Sequence, residues 1–149
     1  MGIKKEFHID SGIYNKGDIT LEKIIKSIKK NSQIKEVGSI HTFTGIVRGS
    51  SNKGKPVISM KIDAYDELAN NNIKKICKKL AEEQGIIDVK IVHLKGDFEL
   101  SEDLVYVVVA SAHRKEGFEI INKAVEMYKK KLAVWKKENF VDGTSEWVH

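Results

Sequence analysis

The stretch VYVVVASAHR at 105–114, continued by KEGFEIINKAVEMYKKK at 115–131 and LAVWKKE at 132–138, decides the fold. Val105, Tyr106, Val107, Val108, Val109 and Ala110 form a β-branched run with no polar alternation. Both faces of such a strand must be covered, so the run predicts a central strand. The strand ends at His113-Arg114 and a helix opens at Lys115. A helix N-terminus carries unpaired N–H groups and partial positive charge, and with a histidine and an arginine beside it becomes a natural anion site. Phe118, Ile121, Ala124, Val125, Tyr128 and Leu132 recur at helical spacing as one apolar stripe. Lys129 falls at the boundary of that stripe, about 70° from its centre at roughly 100° per residue. Lys130 points nearly opposite, into solvent.

Upstream, period-two alternation predicts strands from Gly38 through Val47 and from Val57 to Ala64, a hairpin joined by 48–56. That loop carries Gly49-x-x-x-x-Gly54-Lys55, the outline of a phosphate-binding loop. It is followed by Pro56 and a strand where the motif requires Ser or Thr and a helix, so the motif is rejected. Asp66 is placed to cap a helix from Glu67 to Gln84, with Gly85 as its left-handed stop. Ile86–Leu94 and Phe98–Leu100 read as two strands around Lys95-Gly96-Asp97. Near the start, Lys5–Ile9 reads as a short strand, and Thr20 as the N-cap of a helix reaching about Lys30 whose apolar face is Leu21, Ile24, Ile25 and Ile28. At the other end, Asn139 to Gly143 reads as a turn and Glu146-Trp147-Val148 as a terminal strand. The elements predict an α+β protein with a mostly antiparallel sheet and packed helices.

The 149 residues fit a single domain over 1–149. A hydrophobic content of 41% and a charged content of 32% are those of a globular protein, and no apolar run reaches membrane-spanning length. Met1 to Asp10 lacks the apolar core of a signal peptide, so a cytoplasmic protein that does not engage a membrane is expected. The single cysteine, Cys77, excludes an internal disulfide or a CxxC pair, and at helical spacing with Ile73, Ile76 and Leu80 it reads as a buried structural thiol. His8, His41, His93, His113 and His149 show no metal-ligand spacing, so no metal and no cofactor are expected. His41 and His93 read as strand histidines with satisfied hydrogen bonds. The net charge of +5, carried mainly by lysines, fits a solvated surface or a basic cleft for a phosphorylated substrate or acidic partner, and does not choose between them.

Taken together, Phe43-Thr44-Gly45-Ile46-Val47-Arg48, Ala64-Tyr65, Ser111-Ala112-His113-Arg114 with Phe118, Lys129, Trp135-Lys136-Lys137-Glu138, Asp142-Gly143 and Ser145-Glu146-Trp147-Val148 resemble the catalytic (large) subunit of molybdopterin synthase in order and spacing. The resemblance covers about Gly38 to the end. It implies an α/β-hammerhead fold and a transferase that converts cyclic pyranopterin monophosphate to molybdopterin. The sulfur would come from the thiocarboxylated C-terminus of a ubiquitin-like small subunit. It also implies a homodimer of this subunit within a heterotetramer.

On the matching positions the resemblance implies catalytic roles for Lys129, beside the partner's terminal glycine, and Lys136. Arg48, His113, Arg114 and Phe43 would bind substrate. The chemistry suits these types, because guanidinium is always charged and bonds two phosphate oxygens at once, and a lysine desolvated near another cation becomes an acid or base near neutral pH. One departure is expected to matter. Relatives commonly carry His-Arg-x-Gly where this chain has His93-Leu94-Lys95-Gly96, so Lys95 or nothing stands in for that arginine. Two other readings remain open. A basic α+β nucleic-acid-binding module would need exposed strand aromatics beside lysines, and no such cluster appears. An inactive scaffold of the same family would have lost Lys129 or Lys136, and both are present.

Overall fold

The computed structural model describes residues 8–148. Its elements run β1 (Gly12–Asn15), α1 (Leu21–Lys29), β2 (Ser39–Ile46), β3 (Val57–Ala64), α2 (Asp66–Ala81), β4 (Ile86–Glu99), β5 (Asp103–Ser111), α3 (Arg114–Lys131), β6 (Val134–Phe140) and β7 (Ser145–Val148). A 3-10 turn, Ile34–Glu36, precedes β2. Strand order is β2-β5-β4-β3-β6-β7, and every neighbouring pair on this path is antiparallel. β1 adds to β4 in parallel, with Gly12 opposite Val92 and Asn15 opposite Lys95. The fold is α+β, as the element pattern predicts. No helix among the described residues is long and apolar enough to cross a membrane.

β5 is the central strand expected of its sequence, buried from Leu104 through Ser111 between β2 and β4. Its alternate residues feed two cores. Tyr106, Val108 and Ala110 pack with Ile24 and Ile28 of α1, while Val105, Val107 and Val109 pack with Ile73 and Leu80 of α2 and Ile120 and Tyr128 of α3. One sheet therefore carries α1 on one face and the α2–α3 pair on the other, which explains why no polar alternation was left in the strand.

Three local expectations are corrected. Ile86–Leu94 and Phe98–Leu100 are one strand, not two. Its first part pairs with β5 and β1 and its last with β3, so the backbone finds partners throughout, and Gly96, at φ +133°, lets it change neighbours without a turn. Asp66 does not cap α2. Tyr65 occupies the cap position, and the Asp66 carboxylate, already in the first turn, accepts from Lys95 Nζ at 2.6 Å. β6 extends to Phe140, so the turn begins later than Asn139. The strand expected over Lys5–Ile9 lies outside the described residues up to position 7, and 8–10 are not in a strand. Thr20 caps α1 as expected, its Oγ1 accepting from the Lys23 N–H at 3.3 Å. Cys77 is buried, its thiol 3.4 Å from Ser11 Oγ, and burial pushes its pKa up to about 11.

The stripe of α3 is also rotated from the sequence pattern. Gly117, Ile120, Ala124 and Tyr128 are buried, whereas Phe118 is 62% exposed. Gly117 is the cause. A Cβ there would lie 2.2 Å from His41 Nε2 and 2.6 Å from Ser111 Oγ, so the helix meets the sheet through a residue without a side chain, and Phe118 turns outward, edge-on to His41 with ring centroids 4.5 Å apart.

Candidate active site

At the C-terminal end of α3, the buried Tyr128 precedes Lys129, and the chain passes through Leu132 and Ala133 into β6, where Lys136 lies opposite Ile62 and Glu138 opposite Met60 of β3. Lys136 is half-buried and Glu138 buried. Burial, and then the charge of Lys129, hold the Lys136 ammonium below its ordinary pKa, with Glu138 pulling weakly the other way. The sequence pattern assigned such tuning to Lys129 at the edge of its stripe. In the structure Lys136 shows such tuning, and the charge of the exposed Lys129 is one of its causes.

His93 of β4 belongs to the same region and was missed. It is completely buried, and its ring lies edge-on to Tyr128 at 6.1 Å between centroids. Its Nδ1 bonds the carbonyl of Leu94 at 3.0 Å, but its Nε2 has no protein partner, so the expectation of a satisfied strand histidine is half wrong. Burial first, and the charge of Lys136 second, lower its pKa to about 4. The signal available in the sequence was its place inside Ile91-Val92-His93-Leu94, a run with no polar alternation in which a titratable ring must be buried.

At the N-terminal end of α3 the setting is open. His113 holds the N-cap position in an extended conformation without a side-chain cap bond, and the helix begins at Arg114, one residue earlier than expected. Both side chains are exposed beside the helix N-terminus, as an anion site requires. Behind them runs a chain of hydrogen bonds. Ser111 Oγ donates to the His113 carbonyl at 2.8 Å, Ser39 Oγ is 3.1 Å from Ser111 Oγ, and His41 Nε2 is 2.8 Å from Ser39 Oγ. Because the carbonyl can only accept, the Ser39 proton goes to Ser111 and the His41 Nε2 proton to Ser39. Ser39 is thus a link in a brace, not a nucleophile activated by His41.

Arg48 lies just beyond β2 in the β2–β3 loop, exposed, its Nε donating to the Ser50 carbonyl at 3.1 Å and Nη2 to Asn52 Oδ1 at 3.0 Å. Phe43 on β2, opposite Val107, is half-buried and packed against the core beneath α3. The register separates the expected substrate binders. Ser39 at the start of β2 pairs with Ser111, next to His113, while Ile46 at its end pairs with Asp103, next to Arg48. Along α3, Arg114 and Lys129 are separated by about 22 Å at ~1.5 Å per residue. Within one chain, Arg48, Lys129 and Lys136 lie toward one end, His113 and Arg114 belong to the other, and Phe43 lies midway, opposite Val107. Lys95 does not stand in for the missing arginine, since it is committed to Asp66, and Leu94 is a core residue at 3% exposure.

A family model described as MoaE protein matches residues 15–131. The chain belongs to the MoaE family. It is 33% identical over 133 residues to the molybdopterin synthase catalytic subunit of Bacillus subtilis, covering 89% of this chain and 81% of that protein. It is 34% identical over 110 residues to the protein of the same name from Rattus norvegicus, covering 74% of this chain. There it spans only 54% of the relative's length, and about half the length of the Haloferax volcanii relative. Among solved structures, molybdopterin synthase from Staphylococcus aureus superposes with a TM-score of 0.82 at 28% identity, over 95% of this MoaE chain and 99% of that one.

Proposed function

We propose that this MoaE chain is the catalytic subunit of a molybdopterin synthase, a single-domain cytoplasmic sulfurtransferase. It acts on cyclic pyranopterin monophosphate with a thiocarboxylated ubiquitin-like small subunit as the sulfur donor. The observation that carries the proposal is the half-buried Lys136, held below its ordinary pKa by burial and by Lys129, at the mouth of the α3–β6 junction. A thiocarboxylate tail brings negative charge and an acyl carbonyl. Lys129, exposed at the same junction, receives the tail, and Lys136 stabilises the charge that develops as sulfur passes to the pterin. In each of two rounds the thiocarboxylate sulfur displaces an oxygen substituent from a pterin side-chain carbon, and water then cleaves the acyl–sulfur bond and releases the small subunit as its carboxylate. One of the displaced oxygens is the ester oxygen of the cyclic phosphate, which leaves as part of the phosphate monoester.

Phosphate recognition needs more cation than one end of α3 holds. The chain's two arginines, Arg48 and Arg114, mark opposite ends. In a homodimer the His113–Arg114 end of one copy completes the site formed by Phe43, Arg48, Lys129 and Lys136 of the other, giving two sites per dimer and a small subunit at each. Support comes from the ~22 Å that separates the two groups along one helix.

The test is dithiolene formation from cyclic pyranopterin monophosphate and thiocarboxylated small subunit, with Lys129→Ala and Lys136→Ala in parallel. Product that is lost in both variants while the small subunit still binds supports the proposal. Tight binding of the small subunit without product from the native protein would make the chain an inactive scaffold. Binding of neither ligand would remove the synthase function altogether.

A further inference from the structure

The 48–56 loop, whose Gly49-x-x-x-x-Gly54-Lys55 outline fails as a phosphate-binding motif, is built for another job. Backbone bonds close it on itself. The Val57 N–H donates to the Gly49 carbonyl at 3.0 Å, the Ser51 N–H to the Lys55 carbonyl at 2.9 Å and the Gly54 N–H to the Ser51 carbonyl at 2.9 Å. Ser51 Oγ accepts from the Lys55 N–H at 3.0 Å, and Gly54, at φ +82°, makes the left-handed step that precedes Lys55. The Lys55 ammonium then leaves the loop for the β6–β7 turn. It donates to Thr144 Oγ1 at 2.8 Å, lies 3.1 Å from Asp142 Oδ2, and stands 4.4 Å from the centroid of the Phe140 ring. Asp142 is itself tied to that turn, its Oδ1 accepting from the Thr144 N–H at 2.9 Å and from Thr144 Oγ1 at 2.5 Å. These bonds from Thr144, with Lys55 behind them, hold its carboxyl down to about 2, so it is charged near neutral pH. A backbone bond from the Val141 N–H to the Pro56 carbonyl at 3.1 Å runs alongside. A lone exposed ion pair fixes little, but one ammonium held by a carboxylate, a hydroxyl and a ring face at once joins two loops.

Arg48 sits at the other side of this loop. Its Nε donates to the Ser50 carbonyl and its Nη2 to Asn52 Oδ1, which occupies two of its five N–H groups within the loop. Among the described residues nothing takes the other three, so the outer fork of the guanidinium, Nη1 with the second N–H of Nη2, is open to two oxygens of a phosphate. The direction of that fork is set by Ser50 and Asn52, and their place is set by the loop. We propose that Lys55 is a positioning residue for Arg48: by anchoring the 48–56 loop to Asp142 and Thr144 of the β6–β7 turn, it fixes the direction in which the open guanidinium fork meets the substrate's phosphate. The same turn follows β6, the strand that carries Lys136, so the phosphate binder and the reacting ammonium are referred to one hairpin. The phosphate rests on the synthase function proposed above; the anchoring of Arg48 does not.

The experiment follows the arginine Nε–H groups by NMR in the full-length protein, without substrate. The chain has two arginines, so Arg48→Lys assigns both signals and Arg114 serves as the internal control. In Lys55→Met, which keeps the stem over Phe140 and removes the charge, the Arg48 Nε–H exchanges with water about fivefold faster, and that of Arg114 is unchanged. Asp142→Asn combined with Thr144→Ala frees Lys55 but leaves it in the loop, and gives the same acceleration. All three changes together give no more, because both routes break one anchor. Lys55→Arg, which keeps charge and donors, exchanges as the native protein does. In the synthase assay, KM for cyclic pyranopterin monophosphate rises about fivefold in Lys55→Met and in the Asp142→Asn, Thr144→Ala variant, with kcat unchanged. Unmoved exchange at Arg48 in Lys55→Met, or an equal acceleration at Arg114, would overturn the assignment. So would a KM that rises in Lys55→Met but falls when Lys55 is freed, since Lys55 would then meet the phosphate itself. Native protein that makes no dithiolene, yet shows the stated exchange, would remove the synthase function and leave the anchoring of Arg48 standing.

Discussion

The two ends of α3 hold cations for opposite reasons. At the N-terminal end His113 and Arg114 are exposed, remain solvated, and are backed by helix N–H groups and the Ser111–Ser39–His41 brace. Binding an anion there asks only that charges be present. At the C-terminal end Lys136 is half-buried, and burial and the charge of Lys129 disfavour its charged form, while burial and the charge of Lys136 keep His93 neutral. Such an end gives up electrostatic comfort for chemistry, since an ammonium uneasy in its charged form is one that moves protons or meets developing negative charge near neutral pH. In the proposed function one end holds the substrate and the other reacts with it, and a helix of 18 residues keeps them apart.

The widest gap between the ends is expected in kinetics. Lys136→Ala lowers kcat by about 100-fold or more, the range of general acid–base and charge-stabilising groups. Arg114→Ala chiefly raises KM for the phosphorylated substrate, by about tenfold, and that difference shrinks as salt is added because the site is exposed. Steady-state rates at two ionic strengths separate these outcomes, and equal kcat losses at both ends would break the comparison.

Acid stability comes next. His93 titrates at about 4 when folded against 6.5 when unfolded, so between these values the unfolded chain binds more protons. Stability is therefore undiminished by this group above pH 6.5, declines as pH falls through the window, and has lost about 3 kcal/mol by pH 4. Urea unfolding across pH 4 to 7 measures it, and His93→Gln should flatten the slope.

At the holding end, Gly117→Ala forces a methyl against His41 and Ser111 and should cost about 1–3 kcal/mol by thermal or urea unfolding. The variant also loosens the brace behind His113, so KM should rise with it. The smallest effect is expected of Asp66→Asn. It removes the carboxylate that holds Lys95, a partly exposed pair worth under about 1 kcal/mol, and leaves kcat unchanged.

How legible all this was in the sequence follows from where local chemistry decides. β5 and Thr20 could be read because a run of β-branched residues and a hydroxyl at a helix start carry their meaning within a few residues. β1 could not, since Gly12 to Asn15 is four residues long and is a strand only because β4 offers it an edge. Lys95-Gly96-Asp97 looked like a turn because nothing local reveals that β3 takes over from β5 as partner. The rotated face of α3 is set by contact between Gly117 and His41, residues 76 positions apart in sequence. Most of the candidate site residues were legible as residue types, but their division between two ends was not, because it depends on strand register and helix length together. His93 was hidden by an ordinary assumption, that a buried histidine has both nitrogens satisfied.

The measurement closest to the central claim is complementation between Arg48→Ala and Arg114→Ala. Each homodimer alone lacks an arginine in both of its sites. If the ends come together across two copies, mixing and re-forming dimers leaves half of them mixed, each with one intact site of two, and in assays at substrate well below the native KM, where both homodimers are slow, about a quarter of the native rate of dithiolene formation is gained. No recovery in a sample where mixed dimers are demonstrably present would place Arg48 and Arg114 in the same copy's site and contradict the account.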